Sequence, residues 1–276
     1  MDTLITELLA ARRKDAEATS VTSVRSSQVS QTSSCGSSEV AALVCRISPD
    51  DIESILATAA QSESVSFLDI LSTLFRGASD TQARGQKQRF NLCASVVELV
   101  DSGAIQSSKE AAAAVQRVMT ELDTLSFKEV ANLVEAILGG LKVYPENPNT
   151  SAPYDGSCLA LLPKLLMRIT QGSFVDDNKA HVTGADFKVT VLEQLNSLDW
   201  PANIAVHIVT VLREIPMPKA TVLQLSEKAL KLIKKLAVQD LPAYVYQSLL
   251  FASTKQAKVC DCNARCKLPC NYHRYA

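Results

Sequence analysis

From Val40 onward, apolar residues recur at helical spacing through almost the whole of this chain. Apolar side chains at every third or fourth position share one face of a helix, whereas a half-buried strand alternates at every second residue. No segment shows a convincing alternation. The stripes mark roughly nine successive helices, joined mostly by turns of a few residues. The sequence therefore predicts an all-α fold.

Several helix starts are specified by the local sequence. Ser107 and Glu110 have the spacing of a capping box, in which the serine hydroxyl and the acidic side chain satisfy amide groups at the helix start. Ser126 and Glu129 repeat that spacing. Both pairs precede apolar stripes, so each is predicted to begin a helix.

Glycine, proline and polar runs predict where other helices stop or bend. The pair Gly139-Gly140 is predicted to end the helix that begins after Ser126, or to lie just before its end, because glycine terminates helices readily. Pro163 is predicted to kink the next helix. Residues 172–183 are predicted to form a polar loop.

Short connections place consecutive helices side by side, as in a helical bundle or, when the stacking continues, an α-solenoid. Helix pairs begin at about the spacing of HEAT and armadillo repeats, 40 to 47 residues. We therefore predict an α-solenoid of stacked antiparallel helix pairs over residues 40–255. An N-terminal amphipathic helix (1–19), a Ser-rich disordered segment (20–38) and a Cys-rich irregular tail (256–276) complete the predicted organisation.

The charge balance argues against an overall attraction to polyanions or membranes. With 28 basic and 29 acidic residues the formal net charge is −1, so any nucleic-acid contact must be local. The most apolar run, residues 204–212, is much shorter than a membrane-spanning helix. The N-terminus lacks the charge order of a secretory signal. We expect a soluble intracellular protein without membrane contact.

Catalytic motifs are missing from the sequence. No glycine-rich phosphate loop is present in the sequence. It contains three histidines, His181, His207 and His273, and no nucleophile can be paired with any of them as a general base. The pair Asp176-Asp177 could bind a cation, but such pairs in loops are usually only solvated. The sequence thus predicts no enzyme, no cofactor and no small-molecule substrate.

The cysteine-rich tail raises the question of zinc. Four of the eight cysteines, Cys260, Cys262, Cys266 and Cys270, are clustered there, and thiolates bind zinc tetrahedrally. Their C-x-C-x₃-C-x₃-C spacing is not a common structural-zinc spacing, and so short a module has little to fold around an ion. We therefore expect a tail of unrelated sequence without zinc.

Two serines of the Ser-rich segment precede glutamine, Ser27 and Ser30. Ser-Gln is the dipeptide that DNA-damage kinases prefer, so these serines are candidate phosphorylation sites. Such pairs also arise by chance in a segment of this composition.

Two basic clusters are the remaining candidate sites. Lys228, Lys231, Lys234 and Lys235 recur at helical spacing, and Arg84, Lys87 and Arg89 form a second group. On one hypothesis they contact DNA phosphates without reading bases. On the other they are simply a solvated helix face.

Several strings add a resemblance to these patterns. They are Val97-Glu98-Leu99-Val100-Asp101-Ser102-Gly103, Leu161-Leu162-Pro163, Asp199-Trp200, Glu214-Ile215-Pro216, Glu227-Lys228-Ala229-Leu230 and Leu241-Pro242-x-x-Val245-Tyr246-Gln247-x-Leu249-Leu250. Over residues 89–255 the chain resembles the N-terminal solenoid of the Fanconi anaemia complementation group I family. The last string is the most specific of the six.

The resemblance implies a nuclear, non-enzymatic α-solenoid. It would pair with the paralogous group D2 solenoid and clamp DNA during interstrand crosslink repair. Members of the family are several times longer, and their monoubiquitinated lysine lies beyond the part resembled here, so no residue receives that role. The alternative is a generic HEAT-like adaptor that binds a partner peptide or helix in another pathway.

Overall fold

The structure, a computed structural model, describes residues 2–23, 39–44, 46–62, 66–78, 83–105, 107–143 and 156–263, with only the backbone at 2, 15–23, 39, 83–84 and 254–263. The described residues form twelve α-helices and one two-stranded sheet. The helices are α1 (Asp2–Ser23), α2 (Glu39–Val44), α3 (Pro49–Gln61), α4 (Phe67–Gly77), α5 (Ala83–Asp101), α6 (Ser108–Glu121), α7 (Phe127–Val143), α8 (Leu162–Ile169), α9 (Gly184–Ser197), α10 (Ala205–Glu214), α11 (Lys219–Leu232) and α12 (Leu241–Asn263). Strands β1 (Ser173–Val175) and β2 (His181–Thr183) lie between α8 and α9. The predicted all-α class is confirmed.

The chain divides into two compact units, Met1–Lys188 and Val189–Ala276, with the boundary inside α9. In the first unit, α3 contacts α5 and α5 contacts α7, while α2 contacts α4 and α4 contacts α6. Helices that alternate in sequence therefore lie in two layers. This two-layer stacking is how an α-solenoid buries its apolar stripes.

The N-terminal helix α1 contacts α2 and α4 of this unit. Its apolar residues Ile5, Leu8 and Ala11 are buried, and Arg12 forms an ion pair of 3.1 Å with Asp69 on α4. Residues 20–23, predicted to be disordered, continue α1 instead. Serine and threonine have only moderately poor helix propensity, so a polar stretch can prolong a helix that has already formed. The rest of the Ser-rich segment, residues 24–38, lies outside the described residues.

Both predicted capping boxes lie at helix starts. Ser126 and Glu129 form the full box before α7: the Ser126 amide donates to Oε2 of Glu129 (2.7 Å), and the Glu129 amide donates to the Ser126 hydroxyl (3.4 Å). Before α6, the Glu110 amide donates to the Ser107 hydroxyl (3.4 Å).

Helix α7 continues through Gly139 and Gly140 and ends shortly after them at Val143, so the pair lies just before the helix end, as predicted. The Asp101 carboxylate occupies the space beside Gly140, where an added Cβ would lie 2.5 Å from its Oδ2. This glycine thus also permits a close approach in the last turn of α7.

The predicted kink at Pro163 is wrong. Pro163 lies in the first turn of α8 after a short 3₁₀ turn, so it starts that helix and does not kink it.

Residues 172–183, predicted to be a loop, contain the antiparallel β1–β2 pair, with Phe174 opposite Val182. Phe174 packs edge-on against Phe187, their ring centroids 5.5 Å apart. In the turn, Asp176 accepts a hydrogen bond from the Ala180 amide (2.7 Å), and Asp177 pairs with Lys128 (3.0 Å). Three-residue strands are too short for alternation to be recognised in the sequence.

In the second unit, α10 and α11 both contact α12. Tyr244 and Phe251 of α12 are fully buried in this contact. The Tyr244 hydroxyl donates to the carbonyl oxygen of Ala229 (2.9 Å). Helix α12 continues to Asn263, so residues 256–263 are not the irregular segment that was predicted. Those residues include neither glycine nor proline, and nothing in them stops helix propagation.

The buried Tyr244 hydroxyl predicts a pH-dependent stability. Burial raises the pKa of Tyr244 from 10.0 to about 12, so the folded chain retains a proton that the unfolded chain loses. Below pH ~10 we expect wild type to exceed Tyr244→Phe by about 1 kcal/mol in free energy of unfolding, from the hydrogen bond. That advantage should shrink as the pH rises towards about 12. Urea unfolding of both chains at several pH values measures it, and a constant difference would contradict it.

Candidate nucleic-acid interface

The larger basic cluster lies on α11 and the 3₁₀ turn that follows it, Ile233–Lys235. Helix α11 buries Val222, Leu225, Ala229 and Leu232 against the rest of its unit. Lys231, Lys234 and Lys235 are exposed. The structure therefore brings three of the four predicted lysines to the solvent at one end of α11.

Lys228 has a different environment from its neighbours. Its Nζ donates to the carbonyl oxygens of Asn196 (2.6 Å), Leu195 (3.3 Å) and Leu198, at and just beyond the end of α9. The same ammonium lies 5.0 Å from the centre of the Trp200 ring, and the indole nitrogen donates to the carbonyl of Leu195 (2.8 Å). Burial lowers the pKa of Lys228, and the nearby Asp199 carboxylate opposes that shift.

This environment argues against the predicted DNA contact of Lys228. A lysine ammonium has three N–H donors, and here three carbonyl oxygens accept from it. Carbonyls at the C-terminal end of a helix carry partial negative charge, and a cation there stabilises them. Lys228 therefore caps α9 and lies over the Trp200 ring.

Beside α11 the surface forms a groove, which we call the α11 groove. One depression of about 220 Å³ is lined by Asp199, Trp200, Lys228, Lys231, Leu232 and Lys235. An adjoining depression of about 320 Å³ is lined by Asn196, Gln224, Glu227, Lys228 and Lys231. Lys234 lines neither of them. The four lysines thus have three different positions: Lys228 lines the groove and is half-buried, Lys231 and Lys235 line it and are exposed, and Lys234 is exposed outside it.

The smaller basic cluster lies on α5. Lys87 is exposed and Arg89 is half-buried. Arg84 belongs to the first turn of α5, but its side chain is not among those described. Only Lys87 is thus seen to offer a solvated charge.

The other candidate residues fall outside what the structure describes. Ser27, Ser30, Cys266 and Cys270 lie beyond the described ranges, and Cys260 and Cys262 lie on the backbone-only end of α12. Among side chains that are described, no three His, Cys, Asp or Glu residues come together as a metal site. Within the same ranges, none of the helices has the length and apolar character needed to cross a bilayer.

Two other cations, like Lys228, donate to carbonyl oxygens near helix ends, and the sequence patterns did not indicate these contacts. Lys164 donates to the carbonyl of Met119 near the end of α6 (2.8 Å). Arg168 donates to the carbonyl of Leu125 (2.7 Å) and lies over the Phe127 ring, 5.6 Å from its centre. Two of these cations, Lys228 and Arg168, also lie over an aromatic ring, that of Trp200 and that of Phe127.

It also missed the solvent face of α12. Val245, Tyr246 and Leu249 are exposed there, with Tyr246 at 60% and Leu249 at 65% of their accessible surface. No residue from Leu241 to Ser253 carries a charge. From Leu241 to Ser253, helix α12 thus carries apolar side chains on its solvent side as well as on its buried side.

Helices stacked in two layers, with a groove and a basic cluster on their surface, are typical of a helical-repeat protein. Its α-solenoid fold agrees with the two-layer packing described above. The chain belongs to the FANCI solenoid 1 family, whose model matches residues 86–264. This confirms the resemblance inferred from the sequence strings and extends it beyond residue 255.

Two relatives show the same relationship. The chain is 25% identical over 191 residues to the Fanconi anemia group I protein of Gallus gallus, covering 68% of this chain and 14% of the relative. It is 23% identical over 206 residues to the Fanconi anemia group I protein homolog of Mus musculus, covering 74% of this chain and 15% of the relative. The chain thus spans a small part of much longer proteins.

Proposed function

We propose that this chain is a non-enzymatic scaffold segment of the Fanconi anaemia pathway that acts in the nucleus, in the repair of DNA interstrand crosslinks. The observation that carries the proposal is the family match, which covers well over half of the chain. The names of the two relatives place them in the same group. On this proposal the chain works by pairing with the paralogous group D2 solenoid and by contacting the DNA backbone.

The exposed lysines support the DNA part of the proposal. Lys231, Lys234 and Lys235 offer a local concentration of positive charge on a chain whose overall charge is −1. Lysine ammonium groups contact phosphates without reading bases, which suits a protein that must hold DNA of any sequence. In the α5 cluster, Lys87 is exposed and Arg89 is half-buried, so Lys87 is the better candidate there for a phosphate contact.

An adaptor that binds another protein is the second candidate function. The solvent face of α12, with Val245, Tyr246 and Leu249, favours it. An apolar, uncharged helix face can bury the apolar side of a partner helix that is equally free of charge. Such an adaptor would need neither the group D2 paralogue nor DNA.

Affinity purification from cell nuclei separates these functions. We expect the tagged full chain to recover the group D2 paralogue, identified by mass spectrometry, because pairing of solenoids is the role that the family implies. A tagged HEAT-repeat protein of another family is the control and should not recover it. Recovery of a different specific partner without the group D2 paralogue would favour the adaptor and contradict the pairing.

A further inference from the structure

We infer that the α11 groove holds the phosphates of one strand of duplex DNA, with Lys231 and Lys235 as its binding cations and Asp199 as a charge that weakens the binding. This inference rests on the proposed DNA contact and makes it specific. It selects two of the seven basic candidates and adds an acidic residue that none of the sequence patterns indicated.

The shape of the groove suits an extended chain. Its two depressions share Lys228 and Lys231 as lining residues, so they lie side by side along α11. From Gln224 to Lys235, lining residues of the two depressions, the chain advances roughly 17 Å along the helix axis at 1.5 Å per residue. One strand of B-DNA advances about 3.4 Å per nucleotide along the duplex axis, so this length has room for several phosphates.

The polar groups of the groove match phosphate oxygens. Lys231 and Lys235 are exposed and line the smaller depression, and Lys231 also lines the larger one. The amides of Asn196 and Gln224 border the larger depression and can donate to phosphate as well. Lys228 also lines both depressions, and its charge is partly offset by the negative end of α9 that it caps.

The groove also has carboxylates that oppose an anion. Asp199 lines the smaller depression and Glu227 the larger one. In the smaller depression three lysines face one aspartate, so the balance is positive and an anion is attracted. The Asp199 carboxylate reduces that attraction, and its repulsion is stronger the closer it lies to the bound phosphate.

The chemistry of the groove favours the backbone over the bases. Trp200, the aromatic residue of the smaller depression, is buried, and the Lys228 ammonium lies over its ring. It therefore has no free face on which a base could stack. Binding in this groove would be independent of sequence and strongly dependent on salt.

Titration of the full chain with a fluorescein-labelled duplex of mixed sequence, over a series of NaCl concentrations, tests the inference. We expect Lys231→Gln with Lys235→Gln to weaken binding about tenfold or more and to reduce the slope of log K against log salt by about 2. Asp199→Asn should strengthen binding by about threefold or more, because it removes a like charge. All of these side chains are exposed, and thermal unfolding of each variant checks that the fold is retained.

Lys234→Gln is the matched control, because Lys234 is equally exposed but lies outside the groove. It should reduce the slope by much less than either Lys231→Gln or Lys235→Gln alone. If Lys234→Gln reduced the slope equally, or if Asp199→Asn weakened binding, the α11 groove would not be the phosphate site. The proposal that the chain contacts DNA would still stand. If the unmodified chain did not bind the duplex, both the groove site and the proposed DNA contact would be rejected. Equal binding of a labelled polyglutamate peptide with the same dependence on these lysines would instead assign the groove to an acidic protein.

Discussion

Gly184→Ala is expected to destabilise the chain by about 3 kcal/mol or more. Gly184 begins α9, and its amide donates to the carbonyl oxygen of Gly172 (2.9 Å). A Cβ added there would lie 1.7 Å from the carbonyl oxygen of Ile169 and 2.5 Å from its carbonyl carbon. Both atoms belong to the backbone at the end of α8, so they cannot move aside as the tip of a side chain would. Urea unfolding followed by circular dichroism gives the free energy of unfolding.

Gly139→Ala is the matched control for this prediction. Gly139 lies inside α7, and a Cβ added there would meet no atom within 4 Å. Alanine is the better helix former, so this variant should gain about 0.5 to 1 kcal/mol. If Gly184→Ala were as stable as Gly139→Ala, the close contact between the start of α9 and the Ile169 carbonyl would be disproved.

Lys228→Ala should lower the free energy of unfolding by about 2 kcal/mol. The substitution removes a charged donor from the carbonyls of Leu195, Asn196 and Leu198 and the cation from the Trp200 ring. Carbonyls that lose a buried partner keep their desolvation cost, and the cation–π contact is lost as well. Urea unfolding, with Trp200 fluorescence as a second probe, measures the effect.

Lys231→Ala provides the comparison, since Lys231 lies one turn further along α11 and is exposed. Its stability should remain within about 0.5 kcal/mol of wild type. Substitution of Lys228 should therefore mainly lower stability, whereas substitution of Lys231 should mainly weaken duplex binding. Equal unfolding free energies for the two variants would show that Lys228 does not cap α9.

Local features were predictable from the sequence because their causes are local. The box of Ser126 and Glu129 needs only residues three apart, and it forms as expected. The apolar stripes likewise predicted the helices and their stacking. The close approach at Gly140 was not predictable, because it depends on Asp101, a distant residue that occupies the space where a side chain would be.

The candidate site likewise depends on contacts between residues that are distant in the sequence. Periodicity groups Lys228 with Lys231 because the two residues are close on one helix. What separates them is Trp200 and the end of α9, which come together with α11 only in the folded chain. The strings Asp199-Trp200 and Glu227-Lys228-Ala229-Leu230 were both noticed in the sequence, but nothing in either indicates that they touch. Asp199 became a candidate only when the groove could be seen.

The solvent side of α12 has a practical consequence for work with the purified chain. Without charge from Leu241 to Ser253, and with a net charge of only −1, neighbouring molecules repel one another weakly. Contact between two such faces would remove Tyr246 and Leu249 from water, an association driven by apolar burial. Raising the ionic strength would not reverse it, whereas diluting the sample would.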